Sequence, residues 1–180
     1  MTRPAGFTLI ETLIALAVLG LLAALAVPTL SGATAAGHVA RERGVLTEAL
    51  LLALNHSTLS RENVVLCASS DGLSCTGGID WSAGWIAFAD KDADRARDAG
   101  DTLLRAQPRL AQGVHLRTSL GRTRVVFQPQ GGATAGSNVT FTLCDSRGIG
   151  KASTLVLANS GRMRSGRASN AQASACLARQ

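Results

Sequence analysis

The chain contains no tyrosine, and its two tryptophans and four phenylalanines bring the aromatic content to only 3%. A row of aromatic faces for stacking unpaired bases is therefore poorly supplied. Histidine is scarce too: His38, His56 and His115 are scattered, no Cys-x-x-Cys pair occurs, and a zinc site lacks its close ligand spacing. No Ser/His/Asp set stands out, and Gly131-Gly132 lacks the Lys-Ser/Thr and strand-to-helix setting of a phosphate loop. The sequence thus predicts no catalytic residue, no metal and no cofactor. Internal repeats are also missing. Acidic residues nearly vanish from the second half, where residues 105–180 hold 11 Lys+Arg against Asp145 alone, a net +10. Residues 1–104 hold 7 Lys+Arg against 11 Asp+Glu, a net −4, and the two parts sum to the +6 of the whole chain. A one-sided basic half is the footprint of a polyanion partner, with a merely solvated basic surface as the plain alternative.

What is present begins at the N-terminus. From Phe7 to Leu30 there are 24 residues, of which only Glu11 is charged. As a helix this run is roughly 36 Å long, enough to cross a hydrocarbon core of about 30 Å. A secretory signal peptide fits poorly, because the small residue Gly6 precedes the apolar run instead of following it. An ordinary transmembrane anchor is disfavoured by Glu11, since an isolated carboxylate in hydrocarbon costs several kcal/mol unless it is paired. Arg3 precedes the helix, which by the positive-inside tendency leaves the bulk of the chain across the membrane.

The sequence Gly6-Phe7-Thr-Leu-Ile-Glu11 resembles the class III leader of type IV pilins and pseudopilins. The resemblance implies that residues 1–6 are a leader removed by the prepilin peptidase between Gly6 and Phe7, and that Phe7 is then methylated. It implies that Glu11 meets the N-terminal amine of a neighbouring subunit, which supplies the missing partner. It also implies residence in the inner membrane through residues 7–30, with a periplasmic globular part that becomes extracellular in an assembled pilus. Pro28 falls where pilin helices commonly carry a proline, a residue that removes one helix hydrogen bond and bends the chain.

About 120 residues follow the helix, enough for one small domain. Residues 31–58 read as an amphipathic continuation of the helix. Leu46, Ala49, Leu50, Ala53 and Leu54 form its apolar stripe, and Arg41, Glu42, Arg43 and Glu48 its wet side. Glycines at 32, 37 and 44 weaken that helix by about 1 kcal/mol each relative to alanine. Beyond residue 60, short clusters separated by turn residues predict strands at 64–68, 85–89, 114–117, 124–128, 138–144 and 154–158, with a weaker one near 162–165. Residues 130–138 read as a flexible hairpin loop between the fourth and fifth of these. The fold class is α+β. Cys67, Cys75, Cys144 and Cys176 allow three pairings; in an oxidising compartment we expect Cys67–Cys75, closing a small loop, and Cys144–Cys176, tying the tail to a strand.

Leu66-Cys67, Asp71-Gly72, Cys75, Trp81, Gly84-Trp85-Ile86-Ala87-Phe88 and Asp90 occur in an order that resembles the shared domain of GspH and FimT proteins. These are minor components of type II secretion pseudopili and type IV pili. For residues 59–180 the resemblance implies antiparallel β-structure in two sheets against the long N-terminal helix, and partnership with major and minor pilins. Trp81, Trp85 and Phe88 are expected to be core residues.

The segment Ser160-Gly161-Arg162-Met163-Arg164-Ser165-Gly166-Arg167 is the sharpest local signal of the basic half. If it is extended, Arg162 and Arg164 share a face about 6.6 Å apart. Each can clamp phosphate oxygens with its planar fork. The segment resembles the G-R-x-R motif of FimT proteins implicated in DNA uptake during natural transformation, and the match covers Gly161, Arg162 and Arg164. Arg167 extends it by charge, while Arg122, Arg124, Arg147 and Lys151 are expected to widen the patch. The leading expectation is thus a minor pilin that binds DNA, double-stranded and through its backbone. A structural pilin or secretion pseudopilin with no nucleic-acid partner is the alternative.

One acidic run remains. Asp90, Asp92, Asp94, Asp98 and Asp101 fall on the first, third, fifth, ninth and twelfth places of a calcium loop. Arg95 stands where that loop uses glycine, so a solvated acidic turn is the reading preferred from sequence.

Overall fold

The computed structural model describes residue 6 and residues 8–178, without the side chains of residues 25–30. Helix α1 runs from Leu9 to Ser60 without interruption, through Pro28 and the three glycines. It opens on a capping box, in which Thr8 Oγ1 accepts from the Glu11 N–H at 3.3 Å and Glu11 Oε2 accepts from the Thr8 N–H at 3.4 Å. Glu11 therefore has a local partner at the positive end of the helix, where a carboxylate is favoured. Helix α1 ends at Arg61, whose φ of 60° turns the chain away.

The described apolar side chains of the first half of α1 cover every side of it: Leu9, Ile10, Leu13, Ile14, Leu16, Leu19 and Leu22 are all exposed in the single chain. A helix apolar all round has no use for water on any face. Among the described residues no helix is long and apolar enough to cross a membrane. The expected span at 7–30 lies partly outside the described residues, as do Arg3 and Phe7.

The second half of α1 lies on the globular domain. Leu46, Ala49, Leu50 and Ala53 are fully buried, as the periodicity predicts. Glu42 departs from its expected wet side. It is buried, its Oε1 accepting from the Ala111 N–H at 3.3 Å and its Oε2 lying 3.4 Å from Gln107 Nε2.

Among the described residues eight strands form two four-stranded antiparallel sheets. The first contains β1 (Asn63–Ala68), β2 (Trp85–Asp90), β3 (Thr102–Gln107) and β5 (Arg124–Phe127), in the order β3-β2-β1-β5. The second contains β4 (His115–Thr118), β6 (Val139–Cys144), β7 (Ser153–Leu157) and β8 (Met163–Arg167), in the order β4-β6-β7-β8. Side chains alternate across each strand. Val64, Leu66, Trp85, Ala87, Val125 and Phe127 of the first sheet meet Leu116, Phe141, Leu143, Leu155 and Leu157 of the second and the buried stripe of α1 in one core. Trp81 stands edge-on to Phe141 there, with ring centres 5.3 Å apart. The opposite parity of the first sheet, Val65, Cys67, Ile86, Phe88 and Val126, makes a smaller outer cluster on which Cys75 packs.

Both expected disulfides form, Cys67–Cys75 and Cys144–Cys176. The second fixes a helix absent from the sequence reading, α2 (Asn170–Leu177), against the outer face of β6. Its signal was the capping box Ser169-Asn-Ala-Gln172: Ser169 Oγ accepts from the Gln172 N–H and Gln172 Oε1 from the Ser169 N–H. Strand β3 was also missed, since Thr-Leu-Leu-Arg-Ala-Gln has little β-branching and sits on an exposed edge. The expected hairpin at 130–138 is corrected: β5 and β6 lie in different sheets, so the segment crosses between them. It is pinned, with the Ala133 N–H donating to Asn159 O at 2.7 Å and the Thr134 N–H to Val126 O at 2.8 Å.

Candidate nucleic-acid interface

The second sheet decides which basic residues can act together. Strand β8 is its edge and pairs only with β7, in a register that sets Met163 opposite Leu157, Arg164 opposite Val156 and Arg167 opposite Ser153. Met163 packs on the core, so residues of its parity face inward and those of opposite parity face outward. Arg164 therefore has the parity of the outer face, on which α2 also packs, and Arg162 directly precedes the strand, its carbonyl accepting the Ala158 N–H at 3.0 Å. Both are exposed.

Arg167 is exposed but has the parity of Met163, so it leaves the end of the strand on the other side. Lys151 is exposed in the short 3-10 turn Ile149–Lys151. Next to it the Ala168 N–H donates to Ala152 O at 3.1 Å, which brings Lys151 and Arg167 to the same end of the sheet. Among the described residues none of these four cations has a side-chain hydrogen bond or ion pair. Unengaged guanidinium forks on an exposed edge are available to phosphate oxygens.

The other expected members of the patch are occupied. Arg122 donates through Nε to Asn138 O at 2.9 Å and through Nη2 to Asn138 Oδ1 at 3.1 Å, which holds the crossing segment in place. Arg124 lies on β5 in the first sheet, and its Nη1 donates to Arg95 O at 2.8 Å. Arg147 is clamped to the buried carboxylate of Asp145, with Nη2 2.7 Å from Oδ2 and Nε 2.8 Å from the same oxygen. Its charge is neutralised locally. Asn138 and the Arg95 carbonyl are brought close by folding, while Asp145 lies only two residues from Arg147 and becomes a clamp because folding buries it.

Gly161 also changes role. It is buried with φ 79°, and a Cβ placed on it would stand 3.2 Å from Leu54 Cδ2 and 3.5 Å from Gly132 Cα. The glycine lets the β7–β8 turn pack onto α1 and the crossing segment, so it is not open to an approaching ligand. Gly132 meets the same turn from the other side, where a Cβ would collide with Asn159 O.

The acidic run lies in the loop from β2 to β3, at the edge of the first sheet. Burial pushes the Asp90 carboxyl above its ordinary range, the Arg95 N–H at 3.2 Å opposes that shift, and the nearby Asp101, Asp94 and Asp92 add to it. Arg97 Nη1 donates to Leu73 O at 3.2 Å and so joins this loop to the Cys67–Cys75 loop over the outer cluster.

With this geometry in view, comparisons place the chain. Residues 45–161 match the model of the family described as Type II transport protein GspH, and residues 1–27 match the prokaryotic N-terminal methylation motif. A comparison with curated protein sequences found no match. Among solved structures, the type IV minor pilin FimU of Pseudomonas aeruginosa superposes with a TM-score of 0.56 at 16% identity, covering 80% of this chain and 95% of that one. The minor pseudopilin EpsH of the Vibrio cholerae type 2 secretion system superposes with a TM-score of 0.52 at 13% identity, covering 72% of this chain and 97% of that one. At such identity these likenesses speak for the fold, a long N-terminal helix packed on two antiparallel sheets, while the family model spans most of the globular domain. The chain belongs to the GspH family and is a minor pilin or pseudopilin, a subunit of a type IV pilus or of a type II secretion pseudopilus.

Proposed function

We propose that this subunit is a non-enzymatic minor pilin that binds extracellular DNA through the β8 edge of its second sheet and supports DNA uptake in natural transformation. What supports the reading is the set Arg162, Arg164, Arg167 and Lys151, four exposed cations without internal partners among the described residues, strung along the β8 edge of the second sheet with Arg162 and Arg164 near its start and Arg167 and Lys151 at its far end. Contacts to phosphate hold a duplex without reading its sequence, which suits a protein that must accept any DNA. The lack of tyrosine favours duplex backbone over stacked single strands. In this reading the prepilin peptidase removes residues 1–6 and Phe7 is methylated. Residues 7–30 anchor the subunit in the inner membrane before assembly, and Glu11 meets a neighbouring subunit. A single patch of this size binds modestly, and repeated subunits raise the affinity through avidity.

The test mixes the full-length protein in nonionic detergent with two duplexes of unrelated sequence. Equal binding to both, lost in Arg162→Gln/Arg164→Gln, is expected. Undiminished binding by that variant removes the tail from the proposal.

A purely structural subunit of a pilus or pseudopilus is the second reading, and one observation favours it. Strand β8 is a sheet edge, and arginines on an edge discourage pairing with other chains. In that case the variant would aggregate more readily while the parent protein ignored DNA even at low salt.

A further inference from the structure

We propose that the loop between β2 and β3 holds a divalent cation, calcium by preference, between the carboxylates of Asp90, Asp92 and Asp94. The three residues each bring a carboxylate oxygen within 4.8 Å of the other two. Two oxygens on opposite sides of a calcium ion, each about 2.4 Å from it, are about 4.8 Å apart. Asp90 is the decisive member. It is only 1% exposed, its Oδ1 is buried with no hydrogen-bond donor, and its Oδ2 receives only the Arg95 N–H. A buried carboxylate with one unanswered oxygen is costly, and a cation is the group that answers it.

The nearby side-chain cations do not. The ion pairs of the described residues involve Glu62, Glu48 and Asp145, and none reaches Asp90. Arg97 donates to Leu73 O and Arg124 to Arg95 O, so both hold the loop against the first sheet without pairing with its acids. Over residues 90–101 five aspartates stand against Lys91, Arg95 and Arg97, which leaves a net −2 for a divalent ion to neutralise.

The sequence objection to calcium was Arg95 at the sixth place, where the loop must turn sharply. Arg95 makes that turn itself, with φ 67°, and Ala93 precedes it with φ 65°. Asp98 and Asp101 have a different use. Asp101 accepts the Lys91 N–H on Oδ1 and the Asp98 N–H on Oδ2, each at 3.1 Å, while Asp98 Oδ1 accepts the Gly100 N–H at 2.7 Å. They close the loop around the three ligands. Three carboxylates are a partial oxygen set that water must complete, an arrangement calcium accepts more readily than magnesium with its strict octahedron. The expected dissociation constant is about 0.1–1 mM, the range of extracellular calcium modules. The loop belongs to the first sheet and the basic edge to the second, and the site stands whether or not the protein binds DNA.

The experiment uses the full-length chain in nonionic detergent, stripped with chelator. It is titrated calorimetrically with calcium chloride, with magnesium chloride, and with sodium chloride at matched ionic strength. Calcium heat fitting one site is expected, together with a rise in Tm of about 2–5 °C near ten times the dissociation constant. Asp92→Asn/Asp94→Asn alters two exposed side chains, so it should keep its fold in chelator and lose both responses. Asp94→Asn alone serves if the double variant unfolds. No calcium heat above the sodium control, or unchanged binding by the variants, overturns the site; equal affinity for magnesium overturns the preference.

Discussion

If the structure has sorted the arginines correctly, the salt dependence of DNA binding should separate the four free cations from the tethered ones. With Arg162, Arg164, Arg167 and Lys151 each meeting one phosphate, log affinity should fall against log salt with a slope of about −3.6. Going from about 50 to about 200 mM salt then weakens binding by about 150-fold. Arg162→Gln/Arg164→Gln leaves two contacts, a slope of about −1.8 and a loss of only about 12-fold over the same range. Arg122→Gln/Arg124→Gln removes the same formal charge, but from side chains bonded to Asn138 and to Arg95 O. Its slope should stay near that of the parent. Fluorescence anisotropy with a labelled duplex at five or so salt concentrations measures all three, with circular dichroism as the check on folding. If the two double variants flatten the slope equally, binding follows net charge alone, and the assignment of the edge of the second sheet is wrong.

Two further outcomes concern stability. Gly161→Ala forces a Cβ into the left-handed region and against Leu54, and should cost about 1–3 kcal/mol in urea unfolding while leaving the DNA salt slope unchanged. Replacing both cysteines of the Cys144–Cys176 bridge, which spans 32 residues, should cost about 4 kcal/mol by loop entropy, against about 2.5 kcal/mol for Cys67–Cys75, which spans 8. The reverse order would mean that packing around the small loop outweighs chain entropy.

Most of the fold was legible because its signals are local. The stripe from Leu46 to Ala53 needed only helical periodicity, and β1, β2 and β6 only their dense apolar clusters. Elements failed where propensity was weak or the signal was brief. Strand β3 gains its conformation from pairing with β2 and not from its own residues, and α2 rests on one capping box and a disulfide. The crossing at 130–138 looked like a hairpin because glycines announce a turn without saying which sheet the next strand joins. At the basic edge Arg164 has the parity opposite to Met163 and Arg162 directly precedes the strand, whereas Arg122, Arg124 and Arg147 are held by Asn138, by Arg95 O and by the buried Asp145.

By itself the sequence determined the processed and anchored start as an expectation, the long helix, the α+β class, the cysteine pairs and the charge asymmetry. The helix, the class and the asymmetry depend on composition, period and spacing, the expected cysteine pairs on an oxidising compartment, and the processed and anchored start is what the resemblance to pilin leaders implies. Only the tertiary structure decided which charges are free. A guanidinium is spent or available according to the carbonyl or carboxylate that folding brings within about 3 Å of it. The same holds at Asp90, whose unanswered oxygen is a product of burial and has no counterpart in the spacing of the acids.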